Sequence, residues 1–291
     1  NSGNILVEDK KSCHCVTLEH PILTSSELEK LRSIDTGVFQ AKTLQSYFRA
    51  DGKPGSLEAG IERLCRYADD AVRDGFEVII LSDRAIDSQH AAIPSILAVS
   101  AVHHHLIKTG NRGAVGLVVE AGDAWEVHHF ACLLAFGATA INPYLALASI
   151  RTLKAEGQLD TELEWEQLRK NYVKAVCNGL LKIFSKMGIS TLQSYHGAQI
   201  FEVLGIDKSV VEKYFCGAVS RIGGLNLDDI AREALTKHWR SFEAPRNVKP
   251  LLPEGGIYQW KRRGEGHLWN SQTVHLLQQA CRNNDYDSYK K

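Results

Sequence analysis

Residues 76–122 decide the fold, because two apolar runs flank a helical segment there. FEVIILSD at 76–83 and AVGLVVEAG at 114–122 are short β-branched runs, typical of strands that are buried on both faces. Between them, AAIPSILAVSAVHHHLIKTG at 91–110 is predicted to be a helix, with Pro94 in its first turn and Gly110 at its end. This strand–helix–strand order predicts a parallel crossover.

The same alternation extends outward in both directions. PGSLEAGIERLCRYADDAVRDG at 54–75 has apolar residues at helical spacing and precedes the first run. DAWEVHHFACLLAFG at 123–137 predicts a helix with Asp123 as its N-cap, and ATAINPY at 138–144 predicts a short strand. We therefore expect an α/β fold, with a parallel sheet and alternating helices.

The second half of the chain is less regular. Its predicted elements are a long helix at 172–188, a strand at 189–195 (ISTLQSY), and helices at 197–205 (GAQIFEVLG), 207–219 and 225–242. From about residue 244, proline, glycine and isolated aromatic residues occur without periodicity. We expect an α/β domain at 1–244 and an extended connector at 245–291.

Composition excludes several classes of partner. The 291 residues are 44% hydrophobic, and 34 basic residues balance 34 acidic ones. A formal charge of zero gives no electrostatic footprint for nucleic acid or an anionic membrane, and no apolar run is long enough for a membrane span. The seven cysteines are scattered, which is typical of free thiols in a reducing compartment. These features predict a cytoplasmic protein.

The clustered histidines raise the question of a metal site. HHH at 103–105 and HH at 128–129 are five of the twelve histidines. Successive helix residues point about 100° apart, so consecutive histidines cannot converge on one ion. Cys13 and Cys15 form a close pair but have no second ligand pair at finger-like spacing. We expect the histidines to pack between helices and to bind no metal.

Polar residues follow each apolar run, at the edge where parallel sheets gather ligands. No glycine-rich nucleotide-binding motif or catalytic serine elbow occurs in the sequence. Polar loops are also ordinary features of any such sheet, so a purely structural role for these residues stays open. The predicted strand ends are Ser82-Asp83-Arg84, Glu120-Ala121-Gly122, Asn142-Pro143-Tyr144 and Ser194-Tyr195-His196.

Three long blocks carry a family resemblance. Residues 81–146, 170–205 and 220–231 (SRIGGLNLDDIA) together resemble the central domain of the glutamate synthase large chain. The resemblance covers roughly residues 15 to 291 and implies an incomplete or degenerate (β/α) flavin-type barrel. The chain begins with Asn1, and its only methionine is Met187, so we expect an excised part of a longer protein.

The resemblance also implies partners and cofactors. In that family an amidotransferase domain hydrolyses glutamine with an N-terminal cysteine, and ammonia passes through a channel to an FMN-binding domain. There 2-oxoglutarate is converted to glutamate, with a [3Fe-4S] cluster relaying electrons. The implied partners are therefore the amidotransferase and FMN domains of the same chain, with a small electron-donating subunit or ferredoxin. The implied location is the cytoplasm, or a plastid in a plant.

None of the family's catalytic features carries over to this sequence. The first residue is Asn1 and not cysteine, and Cys13, Cys15 and Cys65 span over fifty residues, too far apart for a cluster motif. We expect no catalytic, cofactor or metal residue and no activity of this segment alone. The leading hypothesis is a scaffold domain that lines part of the ammonia channel; the alternative is a degenerate barrel with its own small-molecule or flavin site at the strand ends. The candidate channel or interdomain residues are Ser82, Asp83, Arg84, Glu120, Asn142, Pro143 and Tyr144.

Overall fold

A computed structural model describes residues 15–35, 39–159, 162–242, 255–257 and 259–290. The chain divides into two compact units, Asn1–Glu243 and Ala244–Lys291. The strands, all in the first unit, are β1 (Ala41–Gln45), β2 (Tyr47–Arg49), β3 (Val78–Ser82), β4 (His90–Ala92), β5 (Gly116–Glu120), β6 (Ala140–Asn142), β7 (Glu202–Ile206) and β8 (Val219–Leu225). Its helices are α1 (Ser25–Arg32), α2 (Ser56–Arg73), α3 (Ser95–Lys108), α4 (Val127–Ala135), α5 (Tyr144–Ala155), α6 (Trp165–Met187), α7 (Leu192–Tyr195), α8 (Lys208–Tyr214) and α9 (Leu227–Phe242).

The central element is a four-stranded parallel sheet in the order β1-β3-β5-β6. Every residue of β3 is buried, as expected for a strand that is covered on both faces. Helices α2, α3 and α4 connect successive strands, and their apolar residues share one core with Ile79, Leu81, Leu117 and Val119. The predicted α/β class is confirmed. A strand order that follows the chain is that of part of a (β/α) barrel.

Helix α1 covers the opposite face of the sheet. Leu28 and Leu31 form a second core with Val78, Ile80 and Val118, which alternate with the residues of the first core. A capping box fixes the start of α1, since the Thr24 hydroxyl accepts from the Glu27 amide and the Glu27 carboxylate accepts from the Thr24 amide. The face that would be the interior of a complete barrel is therefore filled by a helix of the same chain.

The segment before α1 extends the sheet at the edge formed by β6. Ile22 forms a parallel bridge with Ile141 of β6. The Leu23 amide donates to the Ile141 carbonyl at 2.8 Å, and the Ile141 amide donates to the Pro21 carbonyl at 2.8 Å. An early part of the sequence thus protects the edge of the last strand of the sheet.

Two predicted elements in the second half of the chain are wrong. Residues 189–195 were expected to form a strand, but Leu192–Tyr195 is helical, because Thr191 caps it and the fully buried Tyr195 ring packs on Phe184 with ring centroids 4.3 Å apart. Residues 197–205 were expected to be helical, yet Glu202–Ile206 forms β7 and pairs in parallel with β8. Ser194-Tyr195-His196 therefore does not lie at a strand end.

The expected N-cap of α4 is also wrong. The helix begins at Val127, and Glu126 is its N-cap, joined to His129 in a capping box. The carboxylate of Asp123 instead accepts a 3.0 Å hydrogen bond from the Ser95 amide, at the start of α3. Asp123 therefore serves the amino end of a neighbouring helix.

The second unit contains the helices α10 (Ser271–Asn283) and α11 (Tyr286–Lys290). The Asn270 side chain caps α10 by accepting from the amides of Gln272 and Thr273. This stretch of the expected connector is therefore largely helical, because the Asn270 cap starts a helix there. Residues 245–254, 258 and 291, also within the expected connector, lie outside the described part of the chain.

Two general properties bear on function. No helix within the described ranges combines the length and apolar character that crossing a membrane requires. The cysteines in those ranges are all free thiols: Cys15, Cys65, Cys132, Cys177, Cys216 and Cys281.

Candidate functional site

The last residues of the four parallel strands form one polar row. The register places Gln45 beside Ser82, Ser82 beside Glu120 and Glu120 beside Asn142. In-register residues of a parallel sheet point to the same face, and here that is the face covered by α1. Three of these four residues were predicted as candidates; Gln45 was missed, since β1 carries only one buried residue and no apolar run.

Glu120 is the centre of this row and is buried, with 1% of its surface exposed. Its carboxylate accepts hydrogen bonds from Ser82 Oγ at 2.6 Å, from Arg32 Nη2 at 2.9 Å and from Arg84 Nη1 at 3.1 Å. Burial raises the pKa of Glu120, but these three donors and the Arg32 charge together hold the pKa below its usual value. Glu120 is therefore a paired, ionised carboxylate.

Arg32 enters the row from α1, where it is the last helical residue. Besides its bond to Glu120, its Nη1 donates to Thr43 Oγ1 of β1 at 3.1 Å. The guanidinium thus joins side chains from two strands that are not neighbours in the sheet. Sequence reasoning missed Arg32, because the helix could be predicted but not the face of the sheet on which it packs.

Asn142 and Pro143 have structural positions. Asn142 is fully buried, and its Nδ2 donates to the Leu23 carbonyl at 2.8 Å, which holds the segment beside β6. Pro143 is the N-cap residue of α5. Neither residue is among those that line the large cavity described below.

Asp83 follows β3 and is 4% exposed. Its Oδ2 accepts a 2.8 Å hydrogen bond from the Gly122 amide. Burial raises the pKa of Asp83 to about 7; the Gly122 hydrogen bond and the Tyr144 side chain act against this, while the nearby Asp123 and Glu120 charges add to it. Asp83 is therefore a carboxyl group that changes its charge near neutral pH.

Tyr144 and Arg84 lie next to Asp83. The Arg84 guanidinium stacks over the Tyr144 ring at 5.0 Å from its centroid, a cation–π distance. Gly122 allows the close approach, because a Cβ atom there would lie 2.9 Å from the Tyr144 hydroxyl and 3.2 Å from Asp83 Oδ2. Two loops from different strand ends thus come together around a residue without a side chain.

Asp83, Gly122 and Tyr144 line part of a cavity of about 760 Å³, here called the strand-end groove. These three residues lie at the strand ends, and α3, α4, β7 and α9 supply most of the other walls. A volume of this size suits a small molecule or an inserted side-chain cluster. The apolar lining residues include Ile96, Leu97, Trp125, Phe136, Leu145, Phe201, Val203, Ile206, Phe215, Leu225, Ile230 and Phe242.

The candidate residues therefore separate into three groups. Ser82 and Arg84 bind the Glu120 carboxylate, and Asp83 and Tyr144 line the strand-end groove. Asn142 holds the segment beside β6, and Pro143 begins α5. The sequence does not predict the walls formed by residues 201–242, because it favours a helix where β7 forms. A signal was present in the two short β-branched stretches EVLGI and VSRIGGL, which pair with each other.

The histidines take part in packing and capping contacts. His103 Nδ1 accepts from Arg112 Nε at 2.8 Å, and His105 Nε2 lies 2.5 Å from an Asp69 carboxylate oxygen. Burial, then the Arg112 charge, lowers the pKa of His103 to about 3, so its ring is neutral. Within the described ranges, no three His, Cys, Asp or Glu side chains come together as a group that could hold a metal ion.

Comparison with known proteins gives one family. The model of the family described as "Glutamate synthase central domain" matches residues 1–207. The chain is 39% identical over 289 residues to "Glutamate synthase [NADPH] large chain" of Bacillus subtilis, covering 99% of this chain and 18% of that protein. It is 42% identical over 299 residues to "Ferredoxin-dependent glutamate synthase, chloroplastic" of Spinacia oleracea, covering 99% and 18%. The chain thus spans less than a fifth of the length of these relatives.

Among solved structures, the chain is similar to one described as "DHODH in complex with ferulenol from Eimeria tenella". The TM-score is 0.36 and the sequence identity 17%, with 60% of this chain and 46% of that chain covered. A likeness at this level carries no conclusion about fold or function.

Proposed function

The chain belongs to the glutamate synthase central domain family, and on that premise we propose that it is the non-catalytic connecting domain of a glutamate synthase polypeptide. In this role it holds a glutamine-hydrolysing domain and an FMN-containing glutamate-forming domain in fixed positions. The polypeptide as a whole converts glutamine, 2-oxoglutarate and reductant to two molecules of glutamate. We place it in the cytoplasm, or in a plastid if the source is a plant.

The observation that carries this proposal is the closed face of the parallel sheet. In (β/α) enzymes the carboxyl ends of the strands form the active site. Here α1 covers one face of the sheet, and Arg32 reaches from α1 to the carboxyl ends of the strands, where it pairs with Glu120. A face that is filled by the chain itself favours a structural role over catalysis.

In the connecting role, the described residues of this chain hold none of the cofactors of such a polypeptide. At the strand ends the polar row already holds the Arg32–Glu120 ion pair, and in the connecting role no flavin binds there. The free cysteines of the described ranges are spread along the chain and do not form a ligand cluster. We therefore assign FMN and the [3Fe-4S] cluster to other domains, and a small electron-donating subunit or ferredoxin to a surface of those domains.

A channel role for part of the site belongs to the same proposal. Ammonia that passes between two domains needs a path with water-excluding walls and a few polar groups. The strand-end groove has apolar walls, with Asp83 and Tyr144 at one end. We propose that these two residues contribute to the path, with Ser82, Arg84 and Glu120 fixing their loops and Asn142 and Pro143 fixing the backbone.

Separate assays of the half-reactions in the full polypeptide test this role. Tyr144→Ala and Asp83→Asn should leave glutamine hydrolysis intact and lower glutamate formation from glutamine, while formation from added ammonia is spared. Tyr67→Ala is the control, because Tyr67 is half exposed on α2 and lies outside the groove. If all three activities stay at the level of the unmodified polypeptide, both residues are structural.

The groove also supports a second candidate function, a degenerate barrel with its own small-molecule or flavin site. Its volume and the buried Asp83 at its end are the observations in favour. The visible absorption spectrum of the purified chain distinguishes the two functions. The connecting role predicts a colourless protein, and flavin bands that persist through purification would support the second function instead.

A further inference from the structure

The strands β7 and β8 form a parallel pair that is not part of the central sheet. Parallel strands are normally covered on both faces, and a two-stranded sheet is marginally stable without packing. One face of this ribbon packs on the main core through Val203, and Phe201 just before β7 packs there as well. All but one of the residues of β8 are exposed. The ribbon is therefore covered on one side only.

The register collects apolar side chains on the uncovered side. Leu204 pairs with Ile222, and Val219 and Leu225 occupy the equivalent positions beside Glu202 and Ile206. Two register shifts keep these residues of β8 on one face although they lie three apart in sequence. Leu204 is 59% exposed and Ile222 is 61% exposed, which is unusual for directly paired apolar residues.

This face continues into the strand-end groove. Leu225 belongs to the ribbon and also lines the groove, so the two surfaces meet there. Trp125, Leu145 and Phe242 line the groove and are exposed as well. An apolar surface made of several such side chains marks an interaction site. We call it the ribbon face; its residues are Trp125, Leu145, Leu204, Val219, Ile222, Leu225 and Phe242.

The charges near the ribbon face indicate an apolar partner. Arg221 pairs with Glu202 within the ribbon, at 3.2 Å to each carboxylate oxygen, so these two charges are already matched. An occupant would gain most from burying its own apolar side chains. A nucleic acid or an acidic peptide would find no free basic cluster in this ribbon.

The lengths of the relatives indicate where the partner comes from. Three of them match 99% of this chain with 18%, 14% and 18% of their own length, so each carries several times more sequence beside the matching segment. The strand β8 and the α9 wall also lie beyond residue 207, where the match to the central-domain family model ends.

We infer that the ribbon face is the surface on which another domain of the same glutamate synthase polypeptide docks through apolar side chains. This inference rests on the proposed function and adds the location of the interface. It makes Leu204 and Ile222 buried residues in the complete protein, although both are exposed in this segment.

Hydroxyl-radical footprinting of the full polypeptide tests the inference with matched residues. Leu181 on α6 is 63% exposed and Ile107 on α3 is 50% exposed, and they match Leu204 and Ile222 in residue type and exposure. Leu204 should be oxidised several-fold more slowly than Leu181, and Ile222 several-fold more slowly than Ile107. Equal rates within each pair would overturn the inference.

A variant pair tests the interface directly. In the full polypeptide, Ile222→Arg should raise the oxidation rate of Leu204 to that of Leu181, because a buried charge separates the domains. Ile107→Arg should leave the Leu204 rate unchanged. No change in the Leu204 rate with Ile222→Arg would count against the ribbon face as the interface.

Two further outcomes distinguish the possible occupants and proposals. If protection of Leu204 and Ile222 disappears on dilution, the occupant is a second copy of the protein, and the inference is overturned. If both residues are protected in a polypeptide that lacks coupled glutamate synthase activity, the interface stands and the proposed function is wrong. Equal rates in an active polypeptide overturn the interface alone.

Discussion

Arg32, the last residue of α1, donates to the carboxylate of Glu120, the last residue of β5, across 2.9 Å and 88 residues of sequence. This contact ties the helix that fills one face of the sheet to the polar row at the strand ends. Glu120 is buried, so its charge depends on the donors that surround it. We therefore expect the contact to stabilise the folded domain, and its position at the strand ends favours the connecting role.

Replacing Arg32 by methionine should lower the free energy of unfolding by on the order of 1–3 kcal/mol, since Glu120 stays buried and keeps only Arg84 and Ser82 as donors. Arg73→Met is the control, because its ion pair with Asp70 lies on the surface. That change should cost no more than about 0.5 kcal/mol. Urea unfolding of both variants provides the measurement, and equal losses would contradict a special role for Arg32.

Asp83 should make stability fall as the pH rises from 5 to 8. The folded protein keeps the Asp83 proton up to a pKa of about 7, whereas an unfolded aspartic acid loses it near pH 4. The folded state thus binds more protons in this window, so the free energy of unfolding decreases with pH. The Asp83→Asn variant cannot titrate at this position. Its free energy of unfolding, relative to that of the unmodified chain, should therefore grow by about 2 kcal/mol across the window. An advantage that is constant from pH 5 to pH 8 would show that Asp83 has an ordinary pKa.

Gly137 should tolerate alanine far less well than Gly110. Both have positive φ angles, +113° and +77°. A Cβ at Gly137 would lie 2.3 Å from His103 Nδ1, whereas nothing lies within 4 Å at Gly110. We expect Gly110→Ala to cost about 1 kcal/mol from backbone strain, and Gly137→Ala about 3 kcal/mol or more because the packed His103 must also move. Similar midpoints of chemical unfolding for the two variants would contradict this packing.

The purified chain should contain no stoichiometric transition metal after dialysis against a chelator. Arg112 engages His103 Nδ1 and Asp69 engages His105 Nε2, and within the described residues no three potential metal ligands come together. Elemental analysis for zinc and iron is the measurement. One equivalent of either metal, lost in a His103→Gln variant but retained in His275→Gln, would identify a metal site at His103 and contradict the prediction.

The order of the central elements could be predicted because the sequence signal there is local. Apolar runs around Ile80 and Val118 are long enough for strands that are covered on both faces, and the helices between them end at glycines. The positions of Ser82, Glu120 and Asn142 at strand ends follow directly from those runs. Their alignment into one row depends on the register, which periodicity does not specify.

The second half of the chain could not be predicted in the same way, because its strands depend on each other. EVLGI becomes a strand through pairing with VSRIGGL, which follows an intervening helix. By contrast, the β-branched start of ISTLQSY resembles a strand, but burial of Tyr195 and the Thr191 cap favour a helical turn. Arg32 and the α9 wall were missed for a related reason, since the partner of a helix is a tertiary property.

The bridge between Ile22 and Ile141 has a consequence for the growing chain on the ribosome. The side chain of Asn142 donates to the Leu23 carbonyl, 119 residues earlier, so the first segment of the sheet to be synthesised finds its partner strand last. Until β6 emerges, Ile22 and Leu23 are extended apolar residues without a partner, in the form that chaperones bind. Closure of this edge is therefore a late event in biosynthesis, and a polypeptide truncated before Asn142 would remain a substrate for quality control.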